Sequence, residues 1–392
     1  MENFNYFNGT RYIFGKNTEN DVGKYLLEFG AHNVLIHYGS EHAKKSGLID
    51  KVIESLKKSG IKFCELGGVQ PNPRDSKVYE GIKIAKDNKV DFILAVGGGS
   101  VIDSAKAIAM GYYYDGDFSQ IFLNQKNDKN CLPIGVILTI SAAGSESSTN
   151  SVITFEKQGL KRGFKYELSR PKFAILNPEL TYSLPEYHLH AGIMDIMAHM
   201  FERYFSPSKD VFVSKGMLEG ILHAIIHEIV PRINKNRTDY EANANLMWAG
   251  SLAHNNILGC DRIQDWGSHK MGHELSAKYD TIHGASLAVM FPAWMKFNYK
   301  NNIELFDDFA TKIIGVKEEV SKEKTILKAI AKFEQFLSND LKLPTSFKEI
   351  NAKEEDIPYL VEKLFEGVNV PIGLFNPLTK ESATKIYKLA CK

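Results

Sequence analysis

Between residues 33 and 176 the chain sets short apolar runs, nearly free of polar interruption, against segments of helical spacing. No other feature restricts its fold as much. "NVLIHYG" (33–39), "KFCEL" (62–66), "DFILAVGGGS" (91–100), "LPIGVILTIS" (132–141) and "KFAIL" (172–176) have strand length. A strand with one wet face alternates apolar and polar residues; near-continuous apolar strands are covered on both faces. The coverings are legible too. "GLIDKVIESLKKSG" (47–60) repeats Leu48, Val52, Ile53 and Leu56 on one helical face, and "DSKVYEGIKIAKDNK" (75–89) offers Asp75 as a cap. The pattern predicts an α/β domain with a parallel sheet between helices. "SVITFEKQGLKRGFKYEL" (151–168) reads as a hairpin about a glycine turn. From "LPEYHLHAGIMD" (184–195) onward the period is 3.6, with Pro185 where a first-turn proline is tolerated, and strand candidates nearly vanish. The expected division is an α/β domain over 1–180 and an all-helical domain over 181–392.

Bulk properties narrow the function. Lys+Arg at 48 against Asp+Glu at 47 leave a net charge of +1, so no footprint for nucleic acid or an anionic membrane stands out. With 44% hydrophobic and 24% charged residues, the composition is that of a soluble globular protein. The start, "MENFNYFNGTRYIFGKN", lacks the apolar core of a secretory signal, and no apolar stretch approaches the ~20 residues that span a bilayer. Cys64, Cys131, Cys260 and Cys391 lie far apart without CxxC spacing and read as reduced thiols of a cytoplasmic protein.

"AVGGGSVIDSAKAIA" joins a strand, a glycine turn and a helix start. Residues without side chains let a phosphate approach the backbone, and the N–H groups and dipole of the next helix attract its charge. Gly97, Gly98, Gly99 and Ser100 are therefore candidates for a pyrophosphate cradle, with a tight structural turn as the competing reading. The Rossmann fingerprint is not met, because its third glycine position is Ile102, and no P-loop pattern is present. A second loop of small hydroxylated residues, "TISAAGSESS" (139–148), follows the next strand. Two such loops at the carboxyl ends of parallel strands are where a dinucleotide lies in an open α/β sheet.

Histidines and carboxylates concentrate in the helical half. In "AGIMDIMAHMFERYF" (191–205), Asp195 and His199 are four apart on one helix face among Ile193, Ile196, Met197, Met200 and Phe201. An aspartate in such company needs a partner or a cation. In "DWGSHKMGHELSAKYDTIHG" (265–284), His269 and His273 repeat that spacing, and His283 follows ten residues after His273. Such pairs also arise by chance: His223 and His227 have the same spacing with no companion set, and His188 and His190 are a similar caution. The zincin pattern HExxH fails at Ala277. Spacing alone leaves a metal site, an acid–base group and coincidence all open.

In order along the chain stand "TRYIFGK" (10–16), "GGVQPNPRDSKVYEG" (67–81), "GGGSVIDSAKAIA" (97–109), "LTISAAGSE" (138–146), "GIMDIMAHMFERYF" (192–205) and "DWGSHKMGHELSAKYDTIHGASLAVMFPAWMKF" (265–297). This combination resembles the iron-containing alcohol dehydrogenases, in the branch of NAD(P)H-dependent butanol dehydrogenases and aldehyde reductases, over essentially the whole chain. The resemblance implies a dehydroquinate synthase-like architecture: a Rossmann-like dinucleotide-binding domain, then a helical domain, with metal and nicotinamide in the cleft between them. By family position it implies Asp195, His199, His269 and His283 as ligands of one divalent metal, Fe²⁺ or Zn²⁺. His273 falls where the family has a histidine facing nicotinamide and substrate, a candidate proton relay. Glu202 is either a neighbour of the ligands or an exposed helical glutamate.

For the cofactor, the resemblance implies Gly97, Gly98, Gly99 and Ser100 at the pyrophosphate, with Asp103, Thr139, Ser141 and Lys161 as further contacts. Where NAD-preferring members carry an aspartate after the first strand, this chain has Gly39 followed by Ser40, which makes room for NADP(H) while NAD(H) stays compatible. Lys44 and Lys45 are the nearby cations, and Asn177-Pro178 replaces the family's Asp-Pro. The implied reaction is hydride transfer between NAD(P)(H) and a primary alcohol or aldehyde of butanol type, with the metal as Lewis acid on the substrate oxygen. A glycerol- or 1,3-propanediol-type polyol dehydrogenase is the alternative. Relatives imply a homodimer or larger homo-oligomer.

Overall fold

A computed structural model of the chain describes residues 1–39, 41–142 and 144–391. They form two compact units, Phe7–Ser183 and Leu184–Lys392, the second also carrying Met1–Tyr6. The sequence-based boundary thus differs at the amino terminus, where six residues belong with the helical unit. There the Met1 amine donates to the Lys209 carbonyl at 2.9 Å and Glu2 N–H to the Asp261 carbonyl at 2.9 Å. Backbone bonds to carbonyls more than two hundred residues away leave no trace in a hydrophobic pattern.

The first unit is built on a six-stranded parallel sheet of β1 (Arg11–Phe14), β2 (Asn33–Tyr38), β3 (Lys62–Leu66), β4 (Phe92–Gly97), β5 (Ile134–Leu138) and β8 (Phe173–Leu176). Its order is β1-β8-β5-β4-β2-β3. Every residue of β4, β5 and β8 is buried, as strands covered on both faces must be. The edge strands β1 and β3 are partly exposed. β1 was not expected: with one buried residue in four, it carries no apolar run. The hairpin is present as β6 (Asn150–Phe155) and β7 (Leu160–Lys165), turning at Gly159 with φ +60°. Chain order reverses between β2 and β4, since β2 leads outward to β3 while β4 leads the other way to β5. In an open α/β sheet, the carboxyl ends at such a reversal form the ligand crevice.

The second unit has no strands among its described residues. At its centre lies the helix Glu186–Tyr204, which starts directly after Pro185 and is buried from Leu189 to Tyr204. Phe201 on this helix meets Phe291, Phe309 and Phe333 from three other elements, and Phe205 just beyond it stacks on Phe306. A helix buried all round is held rigid by its neighbours, which suits it to present side chains at fixed positions. The helices Gly267–Tyr279 and His283–Asn298 flank it.

Candidate functional site

Asp195 and His199 sit one turn apart on the central helix, 6% and 5% exposed. His199 Nδ1 lies 2.8 Å from the Asp195 carbonyl oxygen. A carbonyl only accepts, so Nδ1 carries the proton and Nε2 the lone pair. His269, on the Gly267–Tyr279 helix, is 3% exposed. One ligand atom from each of Asp195, His199 and His269 lies within 4.8 Å of the other two. His283, the first residue of its helix, brings Nε2 to 3.7 Å from Asp195 Oδ1 and its ring to 5.4 Å from that of His269. Three of the four expected ligands, Asp195, His199 and His269, therefore form one group, with His283 outside it but close to Asp195, although His269 and His283 lie seventy or more residues along the chain from the helix pair.

This group fits a divalent cation. Asp195 Oδ1 is fully buried and accepts no hydrogen bond, which is costly for a carboxylate unless a positive charge faces it. One carboxylate with three imidazoles suits Fe²⁺ and Zn²⁺ alike. The Nδ1 bond of His199 is the kind of outer contact that turns a histidine toward a metal.

Arg203, His254 and Trp266 carry no mark in the sequence, whereas Glu202 stands there as either a neighbour of the expected ligands or an exposed helical glutamate. Glu202 is 1% exposed rather than on the surface, and its Oε1 stands 2.7 Å from His269 Nδ1. Burial pushes its carboxyl up to about 7, against N–H donation from His269 and Trp266. Arg203 is also buried, donating from Nη1 to the His199 carbonyl at 2.6 Å and from Nη2 to His254 Nδ1 at 3.1 Å. His254 in turn places its ring 4.5 Å from that of His199. Trp266 packs its edge on His199, His254 and His269 and carries the Arg203 guanidinium over its ring at 5.0 Å. Local spacing signals only the Arg203–His199 contact, one turn apart on the central helix; the Glu202–His269, Arg203–His254 and His254–His199 contacts join separate helices.

His273 is half-buried beside His283, with ring centroids 4.9 Å apart, and stands outside the three-residue group. The His223–His227 pair has rings 4.3 Å apart, and His227 Nε2 bonds the Ile313 carbonyl at 2.9 Å. No carboxylate joins it in a ligand group among the described residues.

In the first unit, Gly39 follows β2, Gly98 and Gly99 follow β4, and Thr139 follows β5, so these positions share the carboxyl edge on both sides of the chain reversal. Ser40 lies outside the described residues. Gly97 and Gly98 are required by packing: an added Cβ would stand 2.5 Å from Val101 Cγ2 or 1.9 Å from Ile140 Cγ2. Gly39 differs, since a Cβ there meets nothing closer than 3.6 Å. The 14-residue helix Gly99–Tyr112 begins with no side-chain cap and no acid in its first turn, and Ser100 is half-buried there. Ser141 is buried and Thr139 half-buried.

The other expected contacts have protein partners of their own. Asp103 accepts from Ser145 Oγ at 2.6 Å and from Val152 N–H at 2.9 Å. Lys161 Nζ donates to Asn72 Oδ1 at 2.8 Å. Lys44 stands 3.5 Å from Glu65 and 5.7 Å from the Tyr38 ring centre. Lys106, unnoticed in the sequence, is fully buried and donates to the Ser145 and Asn150 carbonyls at 2.7 and 2.8 Å; burial pulls its ammonium down to about 8. It staples the loop after β5 to the glycine-turn helix. Asn177 donates to buried Glu19 at 2.9 Å, where an aspartate would set two carboxylates together.

Comparisons with known proteins agree with this geometry. Residues 9–178 match the family described as iron-containing alcohol dehydrogenase, and residues 190–391 match the Fe-containing alcohol dehydrogenase family, C-terminal. NADH-dependent butanol dehydrogenase B of Clostridium acetobutylicum is 38% identical over 99% of both chains. NADPH-dependent aldehyde reductase YqhD of Escherichia coli is 33% identical over the full length of both. The crystal structure of NADH-dependent butanol dehydrogenase A from Thermotoga maritima superposes with a TM-score of 0.96 at 39% identity, covering 100% of this chain and 99% of that one. A polyol enzyme, 1,3-propanediol dehydrogenase of Klebsiella pneumoniae, is more distant at 28% over 91% of each chain. An α/β unit followed by a helical one is the dehydroquinate synthase-like architecture of these enzymes. Matched across both units, the chain belongs to the iron-containing alcohol dehydrogenase family.

Proposed function

We propose that this protein transfers a hydride between NAD(P)(H) and a primary alcohol or aldehyde of butanol–butanal type. The carrying observation is the convergence of Asp195, His199 and His269, with His283 beside them, on a buried carboxylate oxygen that accepts no hydrogen bond. These four residues hold one divalent ion, Fe²⁺ or Zn²⁺, which when bound supplies Lewis-acid polarisation of the substrate oxygen. His273, half-buried next to His283, moves a proton or orients the nicotinamide. Gly98, Gly99 and Ser100 receive the pyrophosphate at an uncapped helix start, and Gly97 keeps the turn tight. Thr139, Ser141, Asp103 and Lys161 shape the rest of the cofactor site, the last two while held by Ser145, Val152 and Asn72.

Gly39 and Ser40 favour NADP(H), with NAD(H) also accepted. Space for a side chain exists at Gly39, so packing is not the reason for the glycine, and an aspartate that would repel a 2′-phosphate is missing. Lys44 is already neutralised by Glu65, which leaves exposed Lys45 as the cation for that phosphate. Four unpaired cysteines and the absence of any described helix long and apolar enough to cross a membrane agree with a cytoplasmic enzyme, which we place as a homodimer or larger homo-oligomer.

The test follows NADPH and NADH consumption with butanal, before and after chelation and with Fe²⁺ or Zn²⁺ restored. His269→Ala is expected to lose bound metal, whereas His273→Ala keeps metal and loses turnover. The reverse pattern refutes the ligand assignment.

A further inference from the structure

We propose that Glu202 is a positioning residue of the metal site: it caps the Gly267–Tyr279 helix from the neighbouring central helix and locks His269 in the tautomer whose Nε2 carries the lone pair. The inference rests on the reading of His269 as a metal ligand given above.

The Gly267–Tyr279 helix has no side-chain cap from its own N-cap residue, Trp266, whose backbone takes φ +67°. The amide groups of a helix's first turn point away from the helix and need acceptors. The Glu202 carboxylate supplies them from outside. Its Oε2 accepts from Trp266 N–H at 2.6 Å and its Oε1 from His269 N–H at 3.0 Å, while the Glu202 carbonyl accepts Asp265 N–H at 2.8 Å. A negative group at this end of a helix is also favoured by the helix dipole.

One oxygen serves two purposes. Oε1 takes the His269 backbone N–H and stands 2.7 Å from Nδ1 of the same residue. Held at the amide and at the ring by a single atom, the imidazole has its rotation fixed and its Nδ1 bound as a donor. Carboxylate contact of this kind orients a ligating histidine and raises its basicity. Because Glu202 lies one turn beyond His199 on the same buried helix, one rigid element sets two ligands directly and a third through Glu202. A glutamate kept only as a helix cap has no reason to meet the ring as well.

The experiment uses the full-length protein, ¹⁵N-labelled at histidine and loaded with Zn²⁺, which is diamagnetic. Long-range ¹H–¹⁵N spectra of the unmodified protein are expected to show His269 protonated at Nδ1; protonation at Nε2 overturns the proposal without any variant. Glu202→Gln and Glu202→Ala are then compared for zinc affinity by chelator competition, with thermal melting measured alongside. Zinc binding is expected to weaken by about 10–100-fold, more for alanine than for glutamine, in protein that still melts cooperatively. Folded variants that both bind zinc as the unmodified protein does overturn the proposal. If the variants do not fold, the spectrum of the unmodified protein decides. Unmodified protein that takes up no zinc defeats the metal reading and this proposal together, whereas wild-type binding with unaffected variants defeats this proposal alone.

Discussion

Replacing Gly284 by alanine tests whether the closeness of two helices makes the proposed metal site. Gly284 follows His283 on the helix that packs against Asp195 and His199. A Cβ there would stand 1.9 Å from the Ala191 carbonyl oxygen, 2.6 Å from its carbon and 3.0 Å from Ala191 Cα. A carbon–oxygen contact ordinarily needs about 3.3 Å, so the helices must part by roughly 1.4 Å. No side chain can swing aside, because the obstacle is backbone in the second turn of the central helix. The cost should lie at or above the top of the about 1–3 kcal/mol that overpacking usually brings. At about 2–4 °C per kcal/mol for a unit of this size, that lowers the melting temperature by roughly 6–12 °C. His283 moves with its neighbour, and since metal–ligand distances hold within about 0.2 Å, it leaves the coordination sphere. Gly216→Ala is the matched control: it is exposed in mid-helix with nothing within 4 Å of an added Cβ. It should stabilise by about 0.5–1 kcal/mol and leave metal content unchanged. Circular-dichroism melts and elemental analysis after zinc dialysis read both quantities. A Gly284→Ala protein that melts with the wild type and keeps its full metal complement refutes the reasoning.

Two further expectations concern the first unit. His37 is fully buried, with Nδ1 donating to the Leu66 carbonyl at 3.0 Å and Nε2 accepting from Ser104 Oγ at 2.9 Å; burial lowers its pKa to about 4. The unfolded chain binds this proton between pH 6.5 and about 4 while the folded one does not. Stability from this group is therefore fully present above pH 6.5 and falls on acidification, by on the order of 3 kcal/mol near pH 4. Urea unfolding at stepped pH should show that slope flatten in His37→Gln; an unchanged slope removes His37 as its source. Gly98→Ala, whose Cβ would lie 1.9 Å from Ile140 Cγ2, should raise the KM for NADPH on the order of tenfold, about 1.4 kcal/mol, and leave zinc affinity alone. Loss of zinc with unchanged KM would contradict the assignment of Gly98 to the cofactor.

How far the letters carried depended on where burial leaves a local mark. β2, β4, β5 and β8 were legible because both faces of a central strand are apolar, and the glycine turn was legible because Gly97 and Gly98 stand where side chains collide. β1 was missed because its four residues, one of them buried, are too few to show a period, although β3, also at an edge with one buried residue, was legible. Asp195 and His199 were recognisable as one helix face, and so were His223 and His227, which lack a companion carboxylate and third histidine in sequence. The structure adds the approach of His269 to the first pair, with His283 3.7 Å from Asp195.

Sequence by itself determined the alternation of strands and helices, the point near residue 180 where strands cease, and, through ordered motifs, the family. Periodicity records which side of an element faces inward, and that is a local property. Tertiary structure alone decided that Glu202 is buried against His269 instead of exposed, that Lys106 ties down the loop after β5, and that the first six residues fold onto the helical unit. Each of those contacts joins residues far apart in the chain, chosen by the packing of helices, strands and loops rather than by any spacing within one of them.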